Sequence, residues 1–382
     1  MVDAEVDVDP GPENFMSWLE FASTPELDEL DALLHRLGRR YLADAARDSE
    51  HAGRWPERAM EVLNNLPLAG LDVTRDRQGT QMGVSAKATG LMALAYYDAG
   101  GLPGADRLGP AAGAVTICPD QGLANEVMGQ CIEGTSACGF TIVDPEVDFR
   151  RLDWVPDWGG SVPGGRLKWI WVSQANTLSL YQLTGPTKPV RALAFQASGA
   201  VSVDAEATSL VGQWDLDEWS ALYVRGRARL WAAAIGVGIA KSAIDATIEY
   251  AAERVVFGKP VAHHQANAFD LAGAAAGVHG AGLVVANAAA GFDRRHHDAG
   301  FWATQAWLET ADSAFVATNL GIQLLGGHGF LVDHLAEKRF REARHLSMLF
   351  GGRDWAELDV ASHVLDVEDP LGVNGTYGGS NK

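Results

Sequence analysis

At 382 residues with 47% apolar side chains, the chain has material for two or three domains with sizeable cores. Its 49 acidic against 30 basic residues leave a net charge of −19. That excludes free binding to nucleic acid or to an anionic membrane face, because phosphate contacts need clustered Lys and Arg. Three cysteines, Cys118, Cys131 and Cys138, with no CxxC pair, exclude a disulfide framework and a cysteine-built zinc site.

Residues 1–15 read as a disordered acidic tail without the basic and apolar regions of a signal peptide. No stretch of about 18 residues reads as apolar enough to span a bilayer, so the expectation is a soluble cytoplasmic protein. A helical domain is predicted over 16–111. Leu27, Leu30, Leu33, Leu34 and Leu37 recur at spacings of three and four, one apolar helix face. A second helix starts near Pro56 and turns Met60 and Leu63 inward, and a third spans 83–98. The Gly- and Pro-rich run after Ala99 ends the helical region.

The middle of the chain changes period. Leu167, Trp169 and Trp171 alternate, as do Leu178 and Leu180, Leu193 and Phe195, and Val201 and Val203. Alternation bounded by turn residues predicts a half-buried antiparallel sheet, and a β domain is expected over 112–210. Asp215 and Glu218 then resemble a capping box, and no proline interrupts the chain from there to Arg254. Further helices are expected over 260–291, 299–325, 334–348 and 354–366. Together they make a C-terminal helical bundle over 211–366, before a Gly-rich tail at 367–382. The Asn374-Gly375-Thr376 triplet in that tail matches a glycosylation acceptor, but nothing marks the chain as secreted. Helices, then sheet, then long helices is an α+β arrangement, neither a βαβ series nor a repeat array.

Two segments invite a functional reading. Gly326, Gly327 and Gly329 follow an apolar helical stretch, either as a helix end and turn or as backbone that a ligand approaches closely. Arg254 closes the long helix before Phe257-Gly258-Lys259-Pro260. A cation there either complements the helix dipole or clamps a phosphate. The pairs His263-His264 and His296-His297 point apart on their helices, so no metal site is expected.

Taken together, Arg254, Phe257-Gly258-Lys259-Pro260 and Gln265, then Gln323 to Phe330, a basic helix and the loop Leu349 to Asp354 closely resemble the acyl-CoA dehydrogenase family. The likeness is strong over 216–360, moderate over 28–75 and weak over 76–210. It implies a helical domain, an antiparallel β domain and a C-terminal four-helix bundle that drives dimer and tetramer formation. It also implies FAD, an acyl-CoA substrate, and cofactor contacts reaching across to a neighbouring subunit from Arg254, Phe257, Gln265, Gln323, Gly326 and Gly327.

Departures from the family pattern are as informative. The family's catalytic Glu lies in a Tyr-Glu-Gly-Thr loop, and here that position falls on Phe350 or Gly351. Some members carry the Glu on the long helix, where this chain has Ala228 before Arg229. The β-domain segment that lines the flavin is reduced to Val115 to Asp120. The helical domain reads as shortened after residue 99, leaving room for a bulky acyl group such as a steroid side chain. Removing the weakly acidic α-proton of an acyl thioester needs a positioned base, worth about 10²–10⁴-fold, and no catalytic residue is assigned. Asp354 and His345 are the nearby substitutes, more readily read as a helix N-cap and a helix-face residue.

The resemblance thus implies one chain of an α2β2 assembly, completing the FAD site of a Glu-bearing homologue, or a self-assembled homologue of it. The alternatives are an active flavoenzyme of monooxygenase or oxidase type on the same fold, and a non-catalytic scaffold.

Overall fold

The computed structural model describes residues 24–64, 66, 68–143, 166–185, 188–189, 192–198, 201–202 and 205–365. Both expected tails and the Asn374 triplet lie outside them. Helix α1 (Pro25–Tyr41) starts where Thr24 accepts a hydrogen bond from the Leu27 amide and Pro25 occupies the first turn. It buries Leu27 and Leu34. Helices α2 (Ala46–Ala52), α3 (Glu57–Asn64) and α4 (Gly83–Asp98) follow. Met60 and Leu63 of α3 point inward, and α4 is buried on almost every side.

The helical region does not stop near residue 99. It continues through α5 (Leu102–Ala105), α6 (Ala112–Ile117) and α7 (Gln121–Ile132). The β domain expected from residue 112 therefore begins later, and the helical domain is not shortened there. Val115 to Ile117, expected to line a flavin from a strand, is helix, and Asp120 is the N-cap of α7, accepting from the Leu123 amide at 3.0 Å. Short apolar runs without clear alternation suit either state, and packing decided for helix.

The main sheet holds β1 (Ser136–Ile142), β2 (Arg166–Gln174), β3 (Thr177–Leu183) and β6 (Thr208–Asp215), in the order β1-β2-β3-β6. Between β3 and β6, β4 (Lys188–Pro189) pairs with β5 (Val201–Ser202). The sheet is mixed rather than antiparallel, because β1 and β2 run parallel. The link from Ile142 to Arg166 is far longer than a hairpin turn and permits that crossover. Trp169, Trp171, Leu178 and Leu180 join the main core, while Leu167, Ile170 and Val172 form a second cluster on the opposite face. Leu193 and Phe195 are not in a strand. They lie in a bend where Phe195 has φ 52°. Asp215 belongs to β6, and the cap of the next helix is Asp217, which accepts from the Ser220 amide at 2.7 Å.

Helix α8 (Glu218–Glu253) runs unbroken as expected. A small ribbon follows, β7 (Val255–Val256) with β8 (Lys259–Pro260), and then α9 (Gln265–Asp293), α10 (Ala299–Leu325), α11 (Ala336–Leu346) and α12 (Gly352–Leu365). Helix α8 lies at the centre, packed by α4, α9, α10 and α11. It approaches α10 so closely that an added Cβ on Gly226 would meet the Gly300 Cα at 2.6 Å. Contrary to the sequence expectation, α8 and α9 are each long and apolar enough to cross a membrane by length and composition. The apolar window of α8 is 83% buried, that of α9 only 33%. Much of α9's small-residue face is therefore uncovered by this chain.

Candidate functional site

Two helix ends meet at one exposed edge of the bundle. Helix α8 stops because Arg254 turns to an extended conformation while its amide still bonds to the Tyr250 carbonyl at 2.9 Å. The β7–β8 ribbon then closes through Phe257 (φ 51°) and Gly258 (φ 82°), the paired left-handed residues of a tight hairpin turn. A phenylalanine in that conformation is strained. It is 94% exposed, so among the described residues its ring gains little packing to offset that strain. Helix α10 stops at Gly326, whose φ 59° and ψ −131° suit glycine alone. The Tyr250 hydroxyl lies 3.5 Å from His328 Nδ1 and ties the two ends together.

Gln323 in the last turn of α10, and Gln265 opening α9, are exposed, as are Arg254, Gly326 and Gly327. Among the described residues, the Arg254, Gln265 and Gln323 side chains make no hydrogen bond or ion pair within the chain. A Cβ added to Gly327 would meet nothing within 4 Å, so packing does not demand glycine there. A free guanidinium, two amides, open glycine backbone and an unpacked ring, with Phe330 also 74% exposed, have the chemistry to hold a dinucleotide pyrophosphate against an aromatic face.

The loop between α11 and α12 is built oppositely. Phe350 (φ 54°) is buried, its ring 5.9 Å from that of Phe140 on β1 and 6.4 Å from that of Trp231 on α8. Its carbonyl accepts from Arg229 Nε at 3.4 Å and Nη2 at 3.3 Å. Arg229 is fully buried, bonds Thr304 Oγ1 at 3.2 Å and ion-pairs with Asp359. Burial works against the Asp359 carboxylate, but Arg229 and Arg225 hold its pKa below the usual value. Gly351 has no spare room, since an added Cβ would lie 2.8 Å from the Trp355 Cβ. Ala228 is buried as well.

Beside this loop lies a buried ionic cluster. Lys87 Nζ contacts both Asp106 oxygens at 2.8 and 2.9 Å and approaches Asp72 at 3.6 Å. Trp231 Nε1 donates to Asp106 at 3.0 Å, and Arg227 pairs with Asp72. Burial raises the Asp72 pKa, yet Lys87 and Arg227 outweigh it and keep the group below its ordinary value.

A family model for the C-terminal domain of acyl-CoA dehydrogenases matches residues 221–365, from within α8 to the end of α12. Over that stretch the chain is similar to the acyl-CoA dehydrogenase family. Probable acyl-CoA dehydrogenase FadE25 of Mycobacterium tuberculosis (strain H37Rv) is 24% identical over 380 residues, covering 90% of this chain and 96% of that protein. Butyryl-CoA dehydrogenase from Megasphaera elsdenii shares the fold with a TM-score of 0.71 at 20% identity, over 90% of this chain and 99% of its own. A steroid ACAD variant shares it with a TM-score of 0.69 at 17% identity, over 89% and 98%.

The motif residues that resemble acyl-CoA dehydrogenases thus fall at the ends of α8 and α10, joined by Tyr250 and His328, and, for Gln265, at the start of α9. The two candidate substitute bases are placed differently. Asp354 is exposed in the first turn of α12, but it is not the N-cap, since the helix begins at Gly352. His345 is half-buried, its ring 5.7 Å from that of Phe195, and burial lowers its pKa. Sequence reasoning missed the Lys87–Asp106–Trp231 cluster and the Arg229–Asp359 pair. The available signal was charge at Lys87, Arg227 and Arg229 within otherwise apolar helices, since such residues are seldom buried unpaired.

Proposed function

We propose that this chain is a subunit of an FAD-dependent acyl-CoA dehydrogenase assembly that supports the cofactor of an adjoining Glu-bearing subunit and does not supply the base itself. The observation that carries the proposal is the contrast between its two loops. The Phe257 turn is strained and exposed, while Phe350 is sealed into the core. Arg254 and Gln323 would hold the cofactor's phosphate end, Gly326 and Gly327 would let it approach backbone, and Phe257 would cover it. When bound, the flavin supplies a hydride acceptor. Neither Phe350, Gly351 nor Ala228 can remove the α-proton that the reaction releases.

The open face of α9, with Phe269 exposed, supports assembly through the C-terminal helices, as dimers or a dimer of dimers. The substrate proposed is an acyl-CoA thioester. The base-lacking α2β2 pattern supports a bulky acyl chain such as a steroid side chain, although α5 to α7 occupy the stretch where a shortened helical domain would have left room for it.

The test is to purify the chain alone and after co-expression with a Glu-bearing homologue, measuring flavin per protein and acyl-CoA-dependent reduction of an artificial acceptor. Flavin and turnover in the complex alone support the reading. Arg254→Ala is then expected to weaken flavin binding by about one to two decades, the worth of a charge-assisted phosphate contact, with unchanged folding. Robust turnover by the chain alone would favour an active flavoenzyme with a different base. A colourless complex would leave a scaffold.

A further inference from the structure

A separate cavity of about 120 Å³ opens between α8, α10 and the start of α11. Its walls include Ala243, Ala246, Leu325, Leu335 and Ala336, and one cation, Arg339, faces in among them. Among the described residues the Arg339 guanidinium makes no hydrogen bond or ion pair. The acids that influence it are committed elsewhere. Asp245 pairs with Lys241 and accepts from the Tyr96 hydroxyl at 3.0 Å, and Glu342 accepts from Lys338 Nζ at 2.7 Å.

Burial lowers the Arg339 pKa, with Tyr96, Glu342 and Asp245 opposing from a distance. Arg339 is half-buried, and a guanidinium partly withdrawn from water without a hydrogen-bonded acceptor carries a desolvation cost. The other polar wall groups narrow the choice of ligand. Thr247 and Thr318 hydroxyls donate back to the Ala243 and Ala314 carbonyls at 2.6 Å each. That leaves Arg339 and His334 as the cavity's donors toward a guest, the Tyr250 hydroxyl being shared with His328.

We infer that this cavity is a binding site for a small organic carboxylate, with Arg339 pairing its carboxylate and the alanine and leucine walls taking its short apolar stem. An apolar cavity of about 150 Å³ takes benzene, so this one has room for a ligand of about five non-hydrogen atoms, such as propionate. Inorganic phosphate is a poorer fit, because the apolar wall offers nothing to most of its oxygens. The cavity shares Tyr250 with the edge bearing Arg254 and Gly326, but none of the residues assigned to cofactor support lines it.

The test is calorimetric titration of the full chain with sodium propionate, against sodium chloride at equal ionic strength and against inorganic phosphate. Saturable propionate binding, with phosphate weaker, is expected. Arg339→Met is expected to weaken it about ten- to hundredfold and to leave or raise the melting temperature of the ligand-free protein. Ala246→Leu fills the cavity from the facing helix, keeps Arg339, and is expected to abolish binding. It decides the matter if Arg339→Met does not fold. No saturable binding to the wild type, binding that neither variant alters, or a preference for phosphate would overturn the assignment.

Discussion

Arg229 donates to the carbonyl oxygen of Phe350 through both Nε and Nη2. That buried fork fixes the backbone of the loop where the family resemblance puts the catalytic base, and turns the Phe350 ring inward against Phe140 and Trp231. The loop is thereby a structural part of the core, and a change of residue at 350 is a packing change before it is a chemical one.

Phe350→Glu is accordingly expected to destabilise the protein rather than restore a base. It removes a buried ring and places a carboxylate among aromatic side chains, at a cost of about 3–5 kcal/mol. Urea unfolding measures the loss. A variant as stable as the wild type, with acyl-CoA turnover, would show that the loop opens.

Two adjacent glycines are expected to separate folding from function. Gly326→Ala forces alanine into a glycine-only conformation and is expected to lose about 1–3 kcal/mol. Gly327→Ala adds a Cβ that meets nothing in this chain, so its melting temperature is expected to match the wild type. Flavin content of the assembled complex is expected to fall in both. Unchanged flavin in Gly327→Ala would remove Gly327 from the cofactor edge.

Lys87→Met tests the buried ionic cluster. It leaves Asp106 bonded to Trp231 and the Gly109 amide but without its cation. Breaking one side of a buried pair typically costs about 3–5 kcal/mol. Lys87→Met combined with Asp106→Asn is expected to recover part of that loss, and a double variant no better than the single one would deny that the two groups are coupled.

Glu342 governs a pH dependence. Burial raises its pKa to about 7, with Lys338 opposing and the nearby Asp98 adding to the rise. A carboxyl with a raised native pKa ionises first in the unfolded chain. The contribution of Glu342 to stability is therefore fully present below the unfolded value near 4.5 and is lost as pH rises from there to about 7. Glu342→Gln is expected to remove that part of the decline, seen as a flatter melting-temperature profile between pH 5 and 8. A variant profile parallel to that of the wild type would reject the assignment.

Where periodicity was long, the sequence determined the element. The three-and-four spacing of Leu27 to Leu37 makes α1, the proline-free run to Arg254 makes α8, and the alternation at Trp169 and Trp171 and at Leu178 and Leu180 makes β2 and β3. The motifs carrying Arg254, Phe257, Gln323 and Gly326 were equally readable, because turns demand particular residues at particular spacings. Tertiary structure decided the rest. Residues 112–117 and 121–132 are helical because of what they pack against, and β1 runs parallel to β2 because a long link allows it. Nothing local distinguishes a Phe350 that lines a site from one that seals a core. That choice rests on Arg229, Phe140 and Trp231, and the pairing of Lys87 with Asp106 and of Arg229 with Asp359 likewise exists only once distant helices meet. Burial and pairing are properties of the packed chain, set by desolvation and by contacts between residues far apart in sequence.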